Sequence, residues 1–446
     1  MHVIIVGAGE VGYQIAKFLS FESKDVVVID RDRTKLRRIS EELDVAVIEG
    51  EGGSLSVLNA ADAETADMLL AVTDSDEANM IACVLAKAMF NIPRKIARIR
   101  NPEYFANEKL LSRDNLDIDP AINPELEVAR AIIRLLEVPF ATEVEDFEQG
   151  SVKVVGLKVP KDAPIAGKPL TDLKKTAGKR MLVGIIERED RTIIPSGSDV
   201  IREGDIIYVP VKRDDVNDTL RLIGASAKPL KRVMLLGGGR VGFHVASAME
   251  THVDLKIVDT DHERCKYLSK NLRKALVLQG DGADQKLLRE ENIGDMDVFA
   301  AVTNNDELNI MASLLAKKLG VEKTIAIVNR TDYSYLAHSL GLQAVLSPRL
   351  ITASTILQYV RRGDILSLTA IAEDKAEIIQ ARVGTSSRLI GKILKDAKLP
   401  RHSLVGTIIR GGEIIIPSGL NEVREDDRLI FFALREAVKE IEKLLS

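Results

Sequence analysis

Two kinds of apolar pattern alternate along the chain. Short unbroken runs such as Val3–Val6, Val26–Ile29 and Leu69–Val72 are separated by stretches whose apolar residues return every three or four positions, as at Val11, Ile15, Phe18 and Leu19. The first kind reads as strands buried on both faces and the second as amphipathic helices laid over them. In the first half this predicts strands at about 2–6, 25–29, 45–49, 68–72, 95–100 and 117–119, with helices between, which is the order of a covered parallel sheet. From about residue 140 the pattern turns to short β runs and tight turns: Val152–Val159, then Met181–Glu187 and Thr192–Pro195 around a polar turn, then Ile206–Val211.

The first strand breaks into Gly7-Ala8-Gly9-Glu10-Val11-Gly12 and a helix follows. Strand, glycine turn and helix together let backbone N–H groups and a helix N-terminus hold a pyrophosphate. Gly7 permits the tight turn, Gly9 lets phosphates approach the backbone, and Gly12 lets helix and strand pack closely. The second strand ends in Asp30, 30 − 7 = 23 positions on, near the spacing of an acid that hydrogen-bonds an adenosine ribose. The arrangement then recurs. Arg232–Gly242 carries glycines at 237, 239 and 242, offset by 237 − 7 = 230, and the strand Leu255–Val258 again ends in an acid, Asp259.

The correspondence extends further. Val47-Ile48-Glu49-Gly50-Glu51-Gly52 is answered by Val277-Leu278-Gln279-Gly280-Asp281-Gly282, and Ala71-Val72-Thr73-Asp74 by Ala301-Val302-Thr303-Asn304. Asn123-Pro124 and Ser347-Pro348 each open one more helix, with Pro at the first helical position. The apolar residues of those helices suit packing on a partner subunit as well as on their own sheet. The β-rich block also returns: Ile193–Gly197, Val200–Asp205 and Ile206–Val211 reappear as Ile415–Gly419, Val423–Asp427 and Arg428–Ala433. The expected fold class is α/β: two Rossmann-like parallel-sheet domains, residues 1–139 and 231–362, each followed by a small α+β domain, residues 140–225 and 363–446. The short basic connector Lys228–Arg232 joins the halves.

Composition narrows the function. The formal charge is −5, aromatic content is 4% and there is no Trp, so neither a basic stripe nor a base-stacking platform is available and nucleic acid is an unsuitable partner. The basic cluster Lys174-Lys175 and Lys179-Arg180 reads as a solvated face. Cys83 and Cys265 stand in unrelated positions without a CxxC partner, as small buried thiols in a reducing compartment do. The first residues enter a strand directly and no apolar run reaches membrane-spanning length, so the chain is expected to lack a signal peptide and a transmembrane segment.

The ordered set of motifs resembles the family of regulator-of-potassium-conductance (RCK) domains, and its tandem order over the whole chain resembles the regulatory subunits of bacterial and archaeal Trk potassium uptake systems. The resemblance implies a homo-oligomer, dimer or tetramer, on the cytoplasmic face of an integral-membrane potassium transporter of the TrkH/TrkG type. It implies Rossmann-like domains that bind NAD(H) or an adenine nucleotide, small domains of the RCK C-terminal type, and ligand-driven gating with no catalysis. It also places Glu51 in contact with adenine, an assignment that competes with a capping role for the next helix.

The candidate cofactor-binding set in the first half is Gly7, Gly9, Glu10, Val11, Gly12, Asp30, Arg31, Glu51, Thr73, Asp74, Arg98 and Arg100. Asp30 repels a 2′-phosphate and so favours NAD or ADP/ATP over NADP, whereas Arg31 beside it could accept that phosphate or stack on adenine. Thr73 and Asp74 end a strand beside the phosphate crevice and equally suit an N-cap. Arg98 and Arg100, alternating along the fifth strand, face one side and suit phosphate or a pair of salt bridges. The second set is Gly237, Gly239, Arg240, Val241, Gly242, Asp259, Asp281, Thr303 and Asn304. Here Arg240 replaces Glu10, whose carboxylate beside a pyrophosphate is unfavourable unless it points away or binds a metal. The strand expected at Ile325–Asn329 lacks both arginines. NAD(H) is therefore expected in the first site, and ADP/ATP especially in the second. A dehydrogenase shares the glycine fingerprint but needs an acid/base opposite the nicotinamide. A redox-sensing transcription regulator needs a basic helix-turn-helix, which is not visible. A regulator of another cation channel or antiporter stays open.

Overall fold

The computed structural model describes residues 1–22, 24–105, 108–138, 140–177, 181–189, 191–224, 229–360, 365–372 and 375–445. Lys179 and Arg180 of the basic cluster and Lys228 of the connector lie outside the described residues.

The first half runs β1 (His2–Val6), α1 (Glu10–Phe21), β2 (Asp25–Asp30), α2 (Arg33–Glu42), β3 (Ala46–Glu49), α3 (Leu55–Ala60), β4 (Met68–Ala71), α4 (Asp76–Phe90), β5 (Arg94–Arg98), α5 (Glu108–Leu111), β6 (Ala121–Ile122) and α6 (Pro124–Glu137). Its six strands are parallel in the order β3-β2-β1-β4-β5-β6. The order reverses between β1 and β4, which opens a crevice at their C-terminal ends. Ile4, Val6, Ile29, Leu69 and Ala71 point into a core closed by Leu58, Ala82 and Ala86 from the helices, so the unbroken apolar strands are explained by burial on both faces. Side-chain caps set two helix starts. Asp32 accepts from the N–H groups of Thr34 and Lys35, and Ser75 accepts from Ala78.

In the first half two expectations need correction. The sixth strand is Ala121–Ile122, not 117–119: Asp117 has φ 53°, a turn conformation that breaks extended pairing. The fifth strand stops at Arg98, because the Asp76 carboxylate accepts the N–H groups of Arg100 and Asn101 and bends the chain out of the sheet.

A β-rich block follows: β7 (Ala141–Phe147), β8 (Val152–Lys158), α7 (Leu170–Ala177), β9 (Ile185–Arg188), β10 (Arg191–Ile193), β11 (Ile206–Lys212) and α8 (Val216–Ile223), with its sheet in the order β10-β9-β11-β8-β7. The second half repeats both layers. β12 (Arg232–Leu236), α9 (Arg240–Met249), β13 (Asp254–Asp259), α10 (His262–Asn271), β14 (Leu276–Gln279), α11 (Gln285–Glu290), β15 (Val298–Ala301), α12 (Asp306–Lys318), β16 (Lys323–Ile327), α13 (Thr331–Ser339), β17 (Ala344–Leu346) and α14 (Pro348–Val360) build the second parallel sheet, ordered β14-β13-β12-β15-β16-β17. Its fifth strand therefore spans 323–327 and not 325–329. β18 (Ile365–Ile371), β19 (Ala376–Arg382), β20 (Ser403–Arg410), β21 (Glu413–Ile415), β22 (Arg428–Leu434) and α15 (Val438–Leu445) complete the chain, in sheet order β18-β19-β22-β20-β21.

The chain divides into two compact units, Met1–Val128 with Ser347–Val360, and Ala129–Leu346 with Arg361–Ser446. Within the first unit α14, which follows the second parallel sheet in sequence, packs on α1, and Arg94 Nη1 donates to Tyr359 O at its C-terminal end (3.2 Å). Within the second, the end of α6 meets β16: the buried Lys323 Nζ donates to Leu135 O (2.7 Å) and Val138 O (3.2 Å). Within the chain, then, α14 packs on a helix of the first half and the end of α6 meets a strand of the second. Also in the second unit, Phe147, Val154, Ile185 and Tyr208 of the first β-rich block share a core with Ile378, Ile409, Ile430 and Phe432 of the second. Among the described residues no helix is long and apolar enough to cross a membrane.

Candidate functional site

The crevice at the end of β1 is built from backbone. Gly7 has φ 114°, and a Cβ there would lie 2.9 Å from Thr73 N, so the turn crosses directly against the end of β4. A Cβ on Gly12 would lie 1.9 Å from Gly7 O, which lets only glycine bring α1 down onto the turn. Gly9 differs: its φ of −67° suits any residue and a Cβ would meet nothing within 4 Å. Its side is open. Gly9 is also the N-cap of α1 and has no side chain to offer, so Glu10, Val11 and Gly12 open the helix uncapped, with the dipole's positive end facing the crevice. The second turn matches: Gly237 φ 105°, Gly242 Cβ 2.0 Å from Gly237 O, Gly239 open, and α9 begun by Arg240 and Val241 without a side-chain cap. These features fit an anion such as a nucleotide phosphate.

Asp30 lies at the rim. One carboxylate oxygen accepts Ala8 N–H at 2.6 Å and the other Asp32 N–H at 2.8 Å, so the acid is oriented by the turn beside it. Asp259 repeats this with Gly238 N–H (2.6 Å) and Asp261 N–H (2.9 Å). Each oxygen retains acceptor capacity for a sugar hydroxyl. Arg31 is exposed next to it.

Glu10 does not face the turn as an unpaired charge. Oε1 pairs with Arg38 Nη1 at 2.8 Å and Oε2 lies 3.6 Å from Arg349 of α14. Arg38 in turn sits over the Tyr13 ring, and Tyr13 donates to Glu42. The Glu10 bond holds the Arg38 guanidinium above its ordinary pKa. Arg240 opens the second helix in place of this acid.

Glu51 and Asp281 are exposed beyond β3 and β14, and neither caps a helix: the N-caps are Ser54 and Asp284. Thr73 and Asp74 are likewise not the N-cap of α4, which is Ser75. Thr73 Oγ1 donates to Asn79 Oδ1 (2.7 Å), and the fully buried Asn79 donates from Nδ2 to Thr73 O and Arg98 O, tying the ends of β4 and β5 together. Thr303, Asn309 and Ile327 O repeat the staple. Asn304, in place of Asp74, is exposed. The signal for this staple in the sequence is that Asn79 and Asn309 each stand six positions after the matched Thr73 and Thr303.

The two arginines do not share a strand face. Arg98 ends β5, is 8% exposed, and reaches Asp74 Oδ1 at 3.0 Å; Arg100 lies beyond the strand with Nε 3.2 Å from Glu125 Oε1. The salt-bridge alternative therefore describes both as they stand. Arg98 Nε is nonetheless buried without a hydrogen-bond partner, and burial, with the neighbouring Arg100 charge, lowers its pKa. Both are costs that a phosphate would offset. In the second half Arg330 is turned onto Tyr333, 4.2 Å from the ring centroid.

Both cysteines are buried and free, and burial pushes the Cys83 thiol up to about 12. Among the described residues no group of three or more His, Cys, Asp or Glu could hold a metal. A separate cavity of about 490 Å³ lies in the second unit, where the turns Pro195-Ser196-Gly197 and Pro417-Ser418-Gly419 both contribute to its wall.

The TrkA-N domain model matches residues 3–124 and 233–348, and the TrkA-C domain model residues 154–224 and 378–446. The chain is 37% identical over 450 residues to the Trk system potassium uptake protein TrkA of Azorhizobium caulinodans, covering 100% of this chain and 98% of that protein. It is 39% identical over 451 residues to the Trk system potassium uptake protein TrkA homolog 1 of Methanosarcina mazei, covering 99% of each. Among solved structures, the GsuK RCK domain aligns with TM-score 0.60 at 18% identity, covering 100% of this chain and 94% of that one. The GsuK channel bound to NAD aligns with TM-score 0.60 at 17% identity, covering 100% and 78%. These relatives are named for potassium uptake, not for an enzymatic reaction, and the structures share the fold. With both domain models matched twice in tandem and relatives aligned end to end, the chain belongs to the TrkA family of Trk-system potassium uptake proteins.

Proposed function

We propose that this chain is a nucleotide-binding regulatory subunit that assembles as a homo-oligomer on the cytoplasmic face of an integral-membrane potassium transporter of the TrkH/TrkG type and gates it. In this reading residues 1–139 and 231–362 are the nucleotide-binding domains, and 140–225 and 363–446 are the appended ones. The first crevice takes NAD(H): Gly7, Gly9 and Gly12 with the backbone of Glu10 and Val11 hold the pyrophosphate, Asp30 the adenosine ribose, and Glu51 the adenine. Thr73, Asp74, Arg98 and Arg100 line the far end. The second crevice, with Gly237, Gly239, Arg240, Val241, Gly242, Asp259, Asp281, Thr303 and Asn304, takes an adenine nucleotide such as ADP or ATP.

The observation that carries this reading is the pairing, in both halves, of an uncapped helix N-terminus with an open glycine side and a backbone-oriented acid. GsuK, with the same fold, has been seen with NAD bound. A route for the ligand's effect is also visible. Glu10 sits at the turn and pairs with Arg349 on α14, so an anion arriving beside Glu10 biases the position of a helix that connects to the rest of the chain. Coupling of this kind is worth about 1–3 kcal/mol and requires different ligand affinities in the two assembly states.

The test is potassium flux through the partner transporter reconstituted with the full chain, with and without NADH. Gly9→Val fills the open side of the first turn. It is expected to leave assembly intact and to remove the ligand dependence of flux; flux that still responds normally to NADH contradicts the proposal.

A further inference from the structure

The two glycine turns look alike in sequence but are held differently. In the second, Arg264 on α10 reaches back across the crevice rim. Its Nε donates to Gly238 O, its Nη2 donates to Gly239 O at 3.1 Å, and its guanidinium carbon lies 4.6 Å from the Tyr267 ring centroid and 5.9 Å from that of Phe243. Phe243 and Tyr267 are themselves packed edge to face with centroids 5.5 Å apart. In the first half the corresponding residue, three positions after the capping acid, is Lys35, and it lies 3.8 Å from Asp32.

We infer that Arg264 is the positioning residue for the phosphate-binding turn of the second crevice, locking its peptide planes so that their N–H groups face an incoming phosphate chain. The inference rests on the reading of that crevice as an adenine-nucleotide site. A trans peptide points its carbonyl and its N–H in opposite directions. Pinning Gly238 O therefore fixes the direction of Gly239 N–H, and pinning Gly239 O fixes that of Arg240 N–H. Gly239 O also accepts Phe243 N–H at 2.9 Å, the first bond of α9, so Arg240 N–H is aimed off the helix end from both sides. In the first half Gly9 O accepts Tyr13 N–H at 2.8 Å in the same way, whereas Lys35, the counterpart of Arg264, is turned to Asp32. The guanidinium has five N–H donors and spends two on the turn. It thus keeps positive charge and donors at the rim, beside an uncapped helix that opens with Arg240 where the first opens with Glu10. Positive charge in the second crevice is concentrated at the turn itself. In the first half Arg98, at the end of β5, and Arg100, just beyond it, are paired with Asp74 and Glu125, and the arginines at the turn, Arg38 and Arg349, are paired with Glu10. A ligand whose charge is carried on phosphates at the turn, a nucleoside diphosphate, suits the second arrangement.

The experiment uses the full chain carrying Gly9→Val, so that the second crevice reports alone, and measures binding of ADP and of adenosine by calorimetry. Arg264→Leu is expected to weaken ADP binding about tenfold or more, the size of one lost charge-assisted interaction, while adenosine binding stays unchanged. Arg264→Lys keeps the charge but not the two-pronged bond, and is expected to recover only part of the ADP affinity. A merely structural role lowers ADP and adenosine by the same factor, and that result, or no change in either variant, overturns the inference. ADP binding that is absent from the Gly9→Val chain, or that survives a further Gly239→Val, overturns the reading of the second crevice itself and the inference with it.

Discussion

At the scale of single residues, the glycines of each turn separate into two physical classes. Gly12 and Gly242 are needed because a methyl group would strike the carbonyl of the turn, whereas Gly9 and Gly239 have free space where a side chain would go. Gly12→Ala should therefore destabilise the fold by about 1–3 kcal/mol, the usual cost of overpacking. Gly9→Ala should cost no more than about 1 kcal/mol, the size of a changed helix N-cap, yet weaken nucleotide binding. Chemical denaturation and NADH titration of the two variants together check this, and equal stability losses contradict it. The acids at the rim have a similar double character. Asp30 accepts two backbone N–H groups before any ligand arrives, so Asp30→Ala removes a ribose contact and loosens the turn at once. Asp30→Asn, retaining one acceptor oxygen, is the cleaner probe.

At the scale of elements, strands were legible because burial on both faces leaves an unbroken apolar run, and the helices because their apolar residues return every three or four positions, with Asp, Ser or Asn caps at the starts of α2, α4, α10, α11 and α12. The sixth strand was misplaced. It is only two residues long, and the segment expected to form it is broken by the left-handed Asp117. Arg98 and Arg100 were read as one face of a strand because nothing local announces that Asp76, more than twenty residues earlier, takes the backbone N–H of Arg100. Asn79 is the reverse case. An unremarkable helical Asn proves to be the buried tie between β4 and β5, and Asn79→Ala should leave backbone groups unsatisfied at about 1–3 kcal/mol each. Faster amide exchange at residues 72–75 and 97–100 is the expected signature; unchanged protection there contradicts it.

The β-rich blocks carry a pH prediction at the same scale. Glu143 on β7 accepts from Tyr208 (2.9 Å) and faces Ala372 N–H (3.4 Å) of the second block. Burial, with Glu145 and Glu187 nearby, pushes its pKa up to about 8 from 4.5. A carboxyl with a raised folded pKa contributes stability that is fully present below about 4.5 and lost as pH rises through about 8. Lys323 works in the opposite sense: burial lowers its pKa to about 7, so its contribution is lost as pH falls through that value. Comparison at each pH isolates Glu143. Relative to the parent, Glu143→Gln should gain stability progressively from pH 5 to pH 9, read as the difference in Tm, and a difference independent of pH contradicts this assignment.

At the scale of the whole molecule, the tandem order was plain in the sequence because both layers recur with nearly constant offset. The packing of α14 on α1 was not, since an amphipathic helix states that it has a buried face and not which surface covers it. The duplicated halves also differ in their charges. Glu10 with its two arginines stands against Arg240 with Arg264, and Asp74 with Arg98 against Asn304. Two crevices of one shape and unlike electrostatics suit two ligands or two affinities, and a regulator that reads them together.

The central claim is that both crevices bind adenine nucleotides through their glycine turns. Calorimetric titration of the purified full chain with NADH and with ADP tests it most directly. Saturable binding is predicted, with Gly9→Val removing the NADH-preferring component, Gly239→Val the ADP-preferring one, and the double variant removing both. A double variant that binds either nucleotide as the parent does contradicts the account.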